Sequence, residues 1–450
     1  MPDQSSPSQL KQLKFLIAFA FIATIGMWAN LMYYTWFPDT LGWKYPDNTF
    51  QCVQVSRFSD FYAMVELNRI RDPYNTHNRQ PSVPPKFLKS AYPPLAEVFF
   101  HVFSWFDVNY QGINTAGVSK GQDGALWLYL GIPFIAFPIL VLCWLKPPMP
   151  WLTAFLVLTG FNLSYPMIFS IDRGNLELYV FILITLFAWL ANSDSPIWRK
   201  VAIVSIGAAA ALKIYPLVFT FIYLKQRRWM AAVGVVLTAA AFTLVSYLLL
   251  DGTLAANIAA HFEIVRDIAH KTSTDVVWGT RYSSSLFSLI FLSLKSVFHC
   301  EKAALWFQFH YSPVLWLFTL AVVVILAVRR MSFARLLLAV CCLAILATPE
   351  SPDYKLLLLF PATIAVIAEG GGTRIFNLLF VAIMGLLLVA KNWVMIFAEV
   401  SYGSIFNPFL VLALLVLVIV APAQQGVTLY GFPRCWRMAS PEKPNPELVQ

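Results

Sequence analysis

The chain has 450 residues, of which 59% are hydrophobic and 12% are charged. Soluble domains carry about 25% charged residues, so this chain has too few charges to cover a soluble surface of its size. Its formal charge of +9 is spread over short hydrophilic connections, which argues against the basic stripe typical of nucleic-acid binding. These features predict an all-α, multi-pass integral membrane protein.

The amino terminus predicts the orientation of the chain. Residues 1–14 are polar and contain Lys11 and Lys14, so the positive-inside bias makes them a cytoplasmic tail and directs the first apolar span, Phe15–Phe37, outward. This span lacks a small-residue cleavage site, and we expect it to be retained. Segment 38–124 then lies outside, and loops of such length are usually functional.

This external segment contains Asp60 among aromatic residues. From Asp60 to Arg71, apolar residues recur at helical spacing, which predicts a short amphipathic helix on the membrane face. Asp60 is expected in the first turn of that helix, where the dipole favours an ionised carboxylate. A helix cap or an ion pair with Arg57 is the alternative role for this residue.

Apolar stretches and the charges between them predict about twelve crossings in a single domain, 15–422, followed by a cytoplasmic tail, 423–450. Tyr92–Phe106 and Ser283–Val297 fall short of the roughly 20 residues that a spanning helix needs, so we interpret them as re-entrant or interfacial elements. A second external segment covers 251–312. The other predicted spans are Ala125–Leu145, Trp151–Phe169, Leu176–Ala191, Met230–Leu250, Pro313–Val328, Phe333–Ala347, Leu356–Ala368, Ile375–Ala390 and Ile405–Val420.

Val201–Leu224 presents a conflict if it is one span. A single helix would put the basic residues that follow it outside, against the charge bias, and would bury Lys213 near its middle. Two short helices that meet at Lys213-Ile214-Tyr215-Pro216 remove both conflicts, because proline disfavours helix at the residue before it. Lys213 is then expected to face an external cavity, although snorkelling to the interface is the alternative.

Counting charges places several polar residues on the external side. They are Asp60, Arg173, Lys213, Arg281 and Asp353. For Arg173 the alternative is a local pair with Asp172 in a turn, for Arg281 an ordinary loop charge, and for Asp353 a topological role. The six cysteines show no metal-binding spacing.

Several motifs together resemble glycosyltransferase family 87, from about Asp60 to about Ala362. The most specific is the Leu-Lys-Ile-Tyr-Pro stretch with its trailing basic residues. The motifs are Asp60-Phe61-Tyr62, Tyr92-Pro93-Pro94-Leu95, Arg173-Gly174-Asn175, Ala210 to Leu217, Arg227-Arg228-Trp229 and Ser351-Pro352-Asp353-Tyr354. The chain has Asp172-Arg173-Gly174-Asn175 where a Gly-Gln-x-Asn turn is expected, which leaves the donor sugar open.

The resemblance implies a GT-C-type fold with an external, periplasmic active site in a bacterial plasma membrane. It implies an inverting transfer of a hexose, mannose in most members, from a polyprenyl-phosphate sugar to a lipid or glycan acceptor, with no metal or other cofactor. Such a reaction needs a base for the acceptor hydroxyl and cations for the departing phosphate. Asp60 is the expected base, and Lys213, Arg173 and Arg281 are the expected cations. The other expected substrate-binding residues are Asn175, Tyr215, Tyr92 and Asp353.

Two other function classes stay open. A polymerase or ligase for lipid-linked glycans would use the same external site. A polytopic transporter of a lipid or sugar would show midplane polar residues and often internal repeats, and the sequence shows no repeat.

Overall fold

The computed structural model describes residues 58–68, 74, 92–105, 124–145, 151–274, 280, 282–348, 351–369, 372–389, 391, 395–397 and 400–422. These residues are predominantly helical, as predicted. Both tails, the first predicted span and Arg281 lie outside the described residues.

The helices up to the middle of the chain are α1 (Ser59–Leu67), α2 (Pro94–Ser104), α3 (Gly124–Leu145), α4 (Trp151–Asn162), α5 (Tyr165–Arg173), α6 (Glu177–Leu190), α7 (Pro196–Leu212), α8 (Thr220–Lys225) and α9 (Trp229–Leu249). Those that follow are α10 (Leu254–Thr274), α11 (Leu286–Leu292), α12 (Glu301–Phe309), α13 (Tyr311–Val328), α14 (Phe333–Leu346), α15 (Leu359–Ala368), α16 (Arg374–Leu388) and α17 (Gly403–Val420). Tyr215–Phe219 and Asp353–Leu358 are 3-10 helices, and Ser293–Val297 is a π-helical segment.

Four helices of the described residues are long and apolar enough to cross a membrane. They are Gly124–Trp144, Trp229–Leu249, Tyr311–Val328 and Gly403–Val420. Three other predicted spans correspond to shorter apolar helices of 10–17 residues, namely Glu177–Leu190, Phe333–Leu346 and Arg374–Leu388. These helices identify an integral membrane protein, and the number of about twelve crossings stays a prediction.

The segment between α6 and α9 is a hairpin, as predicted. At the turn of the hairpin, Lys213 directly follows α7 and has an extended backbone, with φ −147° and ψ 133°. After the return, Arg228 donates from Nη1 to the Ala191 carbonyl at 2.7 Å, and Ala191 is the residue that directly follows α6. Both ends of the hairpin therefore lie at the same end of the helices.

Basic side chains mark this common end. Lys225 donates to the Arg329 carbonyl at 2.6 Å, just after α13. Arg335 donates to the Pro422 carbonyl at 2.6 Å, just after α17. These cations satisfy carbonyl groups at helix carboxyl termini, where positive charge is favourable. We call this side of the protein the basic end.

Labelling can test the hairpin. Arg227 is exposed at the basic end, so we expect Arg227→Cys, in a variant without the native cysteines, to react with an impermeant maleimide only from the cytoplasmic side. Reaction from the outside in intact cells would contradict the hairpin, because a single span would carry residue 227 across the membrane.

Two predicted elements differ from the structure. The predicted span Trp151–Phe169 is divided between α4 and α5. Pro166 in the first turn of α5 explains the division, because proline favours a helix start and disfavours helix just before it. The external segment 251–312 contains α10 and α12 rather than loop alone. In α10, Ile264 is buried in an apolar cluster with Tyr247 and Leu250, while charged residues interrupt its apolar pattern.

The described residues also include a small antiparallel pair of strands, which leaves the all-α class unchanged. These are β1 (Met395–Phe397) and β2 (Val400–Ser401). Each is too short for a period-two pattern to be distinguished in the sequence.

An aromatic cluster fixes α1 against the rest of the protein. The Phe61 side chain is 1% exposed, and its ring lies 4.7 Å from Tyr129, 6.2 Å from Phe100 and 6.1 Å from Phe103, between centroids. Aromatic pairs at such separations add to the stabilisation that burial provides. Since Asp60 directly precedes Phe61, this packing also determines where the Asp60 carboxylate lies.

Candidate active site

Asp60 lies at the start of α1 and contacts the turn between α5 and α6. Its Oδ1 accepts a hydrogen bond from Arg173 Nη2, and its Oδ2 accepts one from Asn175 Nδ2, both at 2.6 Å. The backbone supports this approach, because the Phe58 N–H donates to the Asp172 carbonyl at 2.6 Å. The structure therefore joins three of the predicted site residues directly.

The turn that presents Arg173 and Asn175 depends on Gly174. This glycine ends α5 in the left-handed conformation, with φ 60°. The Gly174 and Asn175 N–H groups bond back to the last turn of α5, as in a Schellman motif. The sharp turn brings the side chains on both sides of the glycine onto the same carboxylate.

We expect Gly174→Ala to disturb this site. An added Cβ would lie 2.7 Å from Phe61 Cβ, and the left-handed backbone would also be strained, at a cost of about 1–3 kcal/mol. The expected result is a lower melting temperature and a lower rate of the reaction proposed below. Gly131→Ala is the control, because nothing lies within 4 Å of a Cβ there. Unchanged melting and rate in Gly174→Ala would show that α1 does not depend on this close approach.

Lys213 extends the site from the hairpin turn. Its Nζ donates to Asn175 Oδ1 and to Glu177 Oε2, both at 2.9 Å. Asn175 thus bridges Asp60 and Lys213 through the two ends of its amide. Glu177 also accepts a hydrogen bond from the Tyr215 hydroxyl. We call these residues the polar cluster: Asp60, Arg173, Asn175, Glu177, Lys213 and Tyr215.

Aromatic rings and one more cation border the polar cluster. Lys213 Nζ lies 5.6 Å from the centroid of the Tyr92 ring and 5.1 Å from that of Tyr354, within the range of cation–π attraction. Lys355 Nζ lies 5.0 Å from the centroid of the Tyr215 ring. The predicted residue Tyr92 therefore lies beside the polar cluster and Tyr215 within it, and their contact with substrate stays a prediction.

Charge within the polar cluster is balanced. Two carboxylates, Asp60 and Glu177, face two cations, Arg173 and Lys213. Burial is the largest single influence and opposes the charge on Lys213, but Glu177, Tyr92 and Asp60 together outweigh it, so the pKa of Lys213 is raised above its ordinary value of 10.5. The lysine is consequently a stable ammonium at neutral pH.

The hydrogen bonds that the structure shows for the Asp353 carboxylate come from residues outside the polar cluster. This carboxylate is fully buried and accepts hydrogen bonds from Ser284 Oγ at 2.6 Å and Tyr165 Oη at 3.1 Å. These bonds tie the start of a 3-10 helix to α5 and to the segment before α11. The geometry favours a structural role for Asp353, and its predicted contact with substrate stays a prediction.

Glu177 is a member of the polar cluster that the sequence analysis missed. Its side chain is fully buried, and it is the first residue of an otherwise apolar helix. A carboxylate is costly in such a place unless it is paired, and this could have directed attention to it. Among the described residues, no cluster of histidine, cysteine and carboxylate side chains could hold a metal ion.

The polar cluster can perform both halves of a displacement reaction. The Asp60 side chain is 19% exposed, so its carboxylate can accept a proton from a hydroxyl group that enters the site. Arg173 and Lys213, 29% and 11% exposed, can bind an anionic leaving group. Arginine binds phosphate oxygens through a planar fork, whereas lysine acts as a point charge.

Comparison with known proteins identifies the family. The family model of glycosyltransferase family 87 matches residues 91–352, which is more than half of the chain. Arg173, Asn175 and Lys213 lie inside the matched range, and Asp60 lies before it. Neither a curated protein nor a solved structure matches the chain. The extent of the family match, together with the membrane-spanning helices, shows that the chain belongs to glycosyltransferase family 87 and is a membrane glycosyltransferase.

Proposed function

We propose that this protein moves a hexose, mannose in our assignment, from a polyprenyl-phosphate sugar to a lipid or glycan acceptor on the external face of the membrane. The transfer inverts the anomeric configuration. The observation that carries the proposal is the hydrogen-bonded contact of Asp60 with Arg173 and Asn175, and through Asn175 with Lys213.

The proposed reaction uses Asp60 as a general base. The acceptor oxygen attacks the anomeric carbon while its proton passes to the Asp60 carboxylate. The bond between the anomeric carbon and the phosphate oxygen breaks, and the electron pair leaves with the lipid phosphate. Its negative charge therefore increases as Asp60 becomes neutral. Arg173 and Lys213 stabilise the growing charge on the phosphate, and such stabilisation is strong where water is excluded.

The depth of the polar cluster supports a donor that resides in the membrane. Glu177 begins α6, and the basic end lies where α6 ends. The helix has 14 residues, a length of about 21 Å at 1.5 Å per residue. The hydrocarbon core of a bilayer is about 30 Å thick. If α6 ends at one face of the core, the polar cluster at its start lies in the opposite half of the bilayer, on the side where the phosphate of a lipid donor would reach it. With the basic end on the cytoplasmic side, as the positive-inside rule requires, the cluster faces outward.

Transfer in proteoliposomes tests the proposal. The purified full chain is supplied with radiolabelled polyprenyl-phosphate mannose and a total lipid and glycan extract of its host membrane. We expect label to appear in an acceptor with inverted anomeric configuration, and no transfer from GDP-mannose. Movement of label across the bilayer without a new glycosidic bond would instead indicate a transporter. Transfer only from a preassembled lipid-linked glycan would indicate a polymerase or ligase.

A further inference from the structure

Glu177 is bonded to the hairpin turn that carries Lys213. Its two oxygens hold two groups of the Lys213-Ile214-Tyr215 turn, with Oε2 accepting from the Lys213 ammonium and Oε1 from the Tyr215 hydroxyl. The side chain is fully buried. The Glu177 carboxylate, at the start of α6, therefore fixes the position of the turn that follows α7. Helix α7 begins at the basic end and ends beside Glu177.

Among the residues that the structure describes, these contacts leave one donor of Lys213 for a ligand. An ammonium has three N–H groups, and two of them are used by Asn175 and Glu177. The Lys213 nitrogen lies near the faces of Tyr92 and Tyr354, which accept no strong hydrogen bond. A phosphate oxygen that enters between these rings would find both a free N–H and a positive charge.

We propose that Glu177 is a positioning residue for the transfer reaction, which holds the Lys213 side chain in place for the phosphate of the lipid donor. The inference rests on the proposed function. Glu177 does not itself touch the substrate in this scheme. It acts through Lys213, and its replacement should affect the binding of the donor more than that of the acceptor.

The charged and titratable groups around Lys213 make Glu177 the dominant partner. Burial lowers the pKa of Lys213, and Glu177 is the strongest influence that raises it, followed by weaker ones from Tyr92 and Asp60. Arg173 offsets Asp60 through their ion pair. The titratable and charged groups that surround Lys213 come from several elements. They are Asp60 from α1, Tyr92 before α2, Arg173 from α5, Glu177 from α6, Tyr215 after α7, and Tyr354 and Lys355 from the 3-10 helix Asp353–Leu358.

The test is the pH dependence of the donor KM in Glu177→Gln. Without the carboxylate, burial is left as the main influence, and the pKa of Lys213 falls below its ordinary value. The fraction of ammonium then decreases as the pH rises. We expect the ratio of the variant's donor KM to the wild-type donor KM to increase by roughly tenfold between about pH 6 and about pH 9. The acceptor KM should change little, and the ratio should recover when the pH is lowered again.

Further variants separate this role from a loss of folding. Adding Lys213→Arg to Glu177→Gln should remove the pH dependence, because a guanidinium stays protonated throughout this range. Glu177→Asp keeps a shorter carboxylate and should change the ratio in the same direction by a smaller amount, which provides a test if Glu177→Gln fails to fold. Glu369→Gln is the matched control, since Glu369 is a carboxylate that accepts from the Ala334 N–H outside the polar cluster. Its donor KM ratio should not depend on pH.

The outcomes distinguish the inference from the function on which it rests. If the wild-type protein transfers sugar and Glu177→Gln shows a donor KM ratio that is the same at every pH, Glu177 is only structural and the inference is wrong. If the wild-type protein transfers no sugar from a polyprenyl-phosphate donor, the proposed function is wrong and the inference falls with it.

Discussion

Asp60→Asn is expected to lower kcat by about 10²- to 10⁴-fold, the usual contribution of general base catalysis. Asparagine matches aspartate in shape but has no basic oxygen that can take the acceptor proton. Its amide also cannot accept from both Arg173 and Asn175, as the Asp60 carboxylate does. The effect should therefore be on the chemical step, and donor KM should change much less.

The control for Asp60 is Asp251→Asn, because Asp251 is exposed after α9. Both variants should be expressed and should melt near the wild-type temperature, since Phe61 continues to hold α1 in its aromatic cluster. Initial rates with labelled donor, together with equilibrium binding of polyprenyl phosphate, separate catalysis from binding. Near-normal turnover of Asp60→Asn would exclude Asp60 as the base. The family resemblance implied this role, and the contacts with Arg173 and Asn175 support it, although Asp60 precedes the residues that the family model matches.

Lys213→Met is expected to raise donor KM by at least roughly tenfold, because a charge-assisted contact with phosphate is worth about 1.5–3 kcal/mol. Methionine keeps the apolar stem and removes the ammonium. It also leaves Glu177 buried without its cation, and breaking a buried ion pair costs about 3–5 kcal/mol of folding stability. A lower melting temperature should accompany the kinetic change.

The double variant Lys213→Met with Glu177→Gln separates these two effects. It removes the uncompensated carboxylate, so the melting temperature should rise again while donor KM stays high. Lys302→Met serves as a control, because Lys302 is exposed on α12. Unchanged donor KM and kcat in Lys213→Met would remove this residue from the site, and recovery of activity in the double variant would reduce its role to stability.

Much of the architecture follows from local patterns in the sequence. The apolar stretches predicted α3, α9, α13 and α17 closely, because their length and composition alone define a spanning helix. The hairpin around Lys213 was also predictable, since a proline and a set of basic residues impose it locally. The division between α4 and α5 and the helix α10 were missed, because a proline start and a charge-interrupted pattern are weaker signals.

Pairing in the site was not determined by local patterns. Asp172 is the sequence neighbour of Arg173, but the partner that the structure shows is Asp60, which lies more than 100 positions earlier in the chain. Glu177 lies in none of the motifs that the sequence analysis identified, although it is the carboxylate that holds Lys213. Asp353 appeared in a motif but contacts Ser284 and Tyr165.

The sequence by itself determined the membrane class, the family resemblance and the presence of Asp60, Arg173 and Lys213 in segments that face one side. These properties depend on composition, length and local charge. Only the tertiary structure decided which carboxylate serves which cation. Ion pairing depends on distances of a few ångströms, and those distances result from the packing of Phe61 and the turn at Gly174 rather than from separation along the chain.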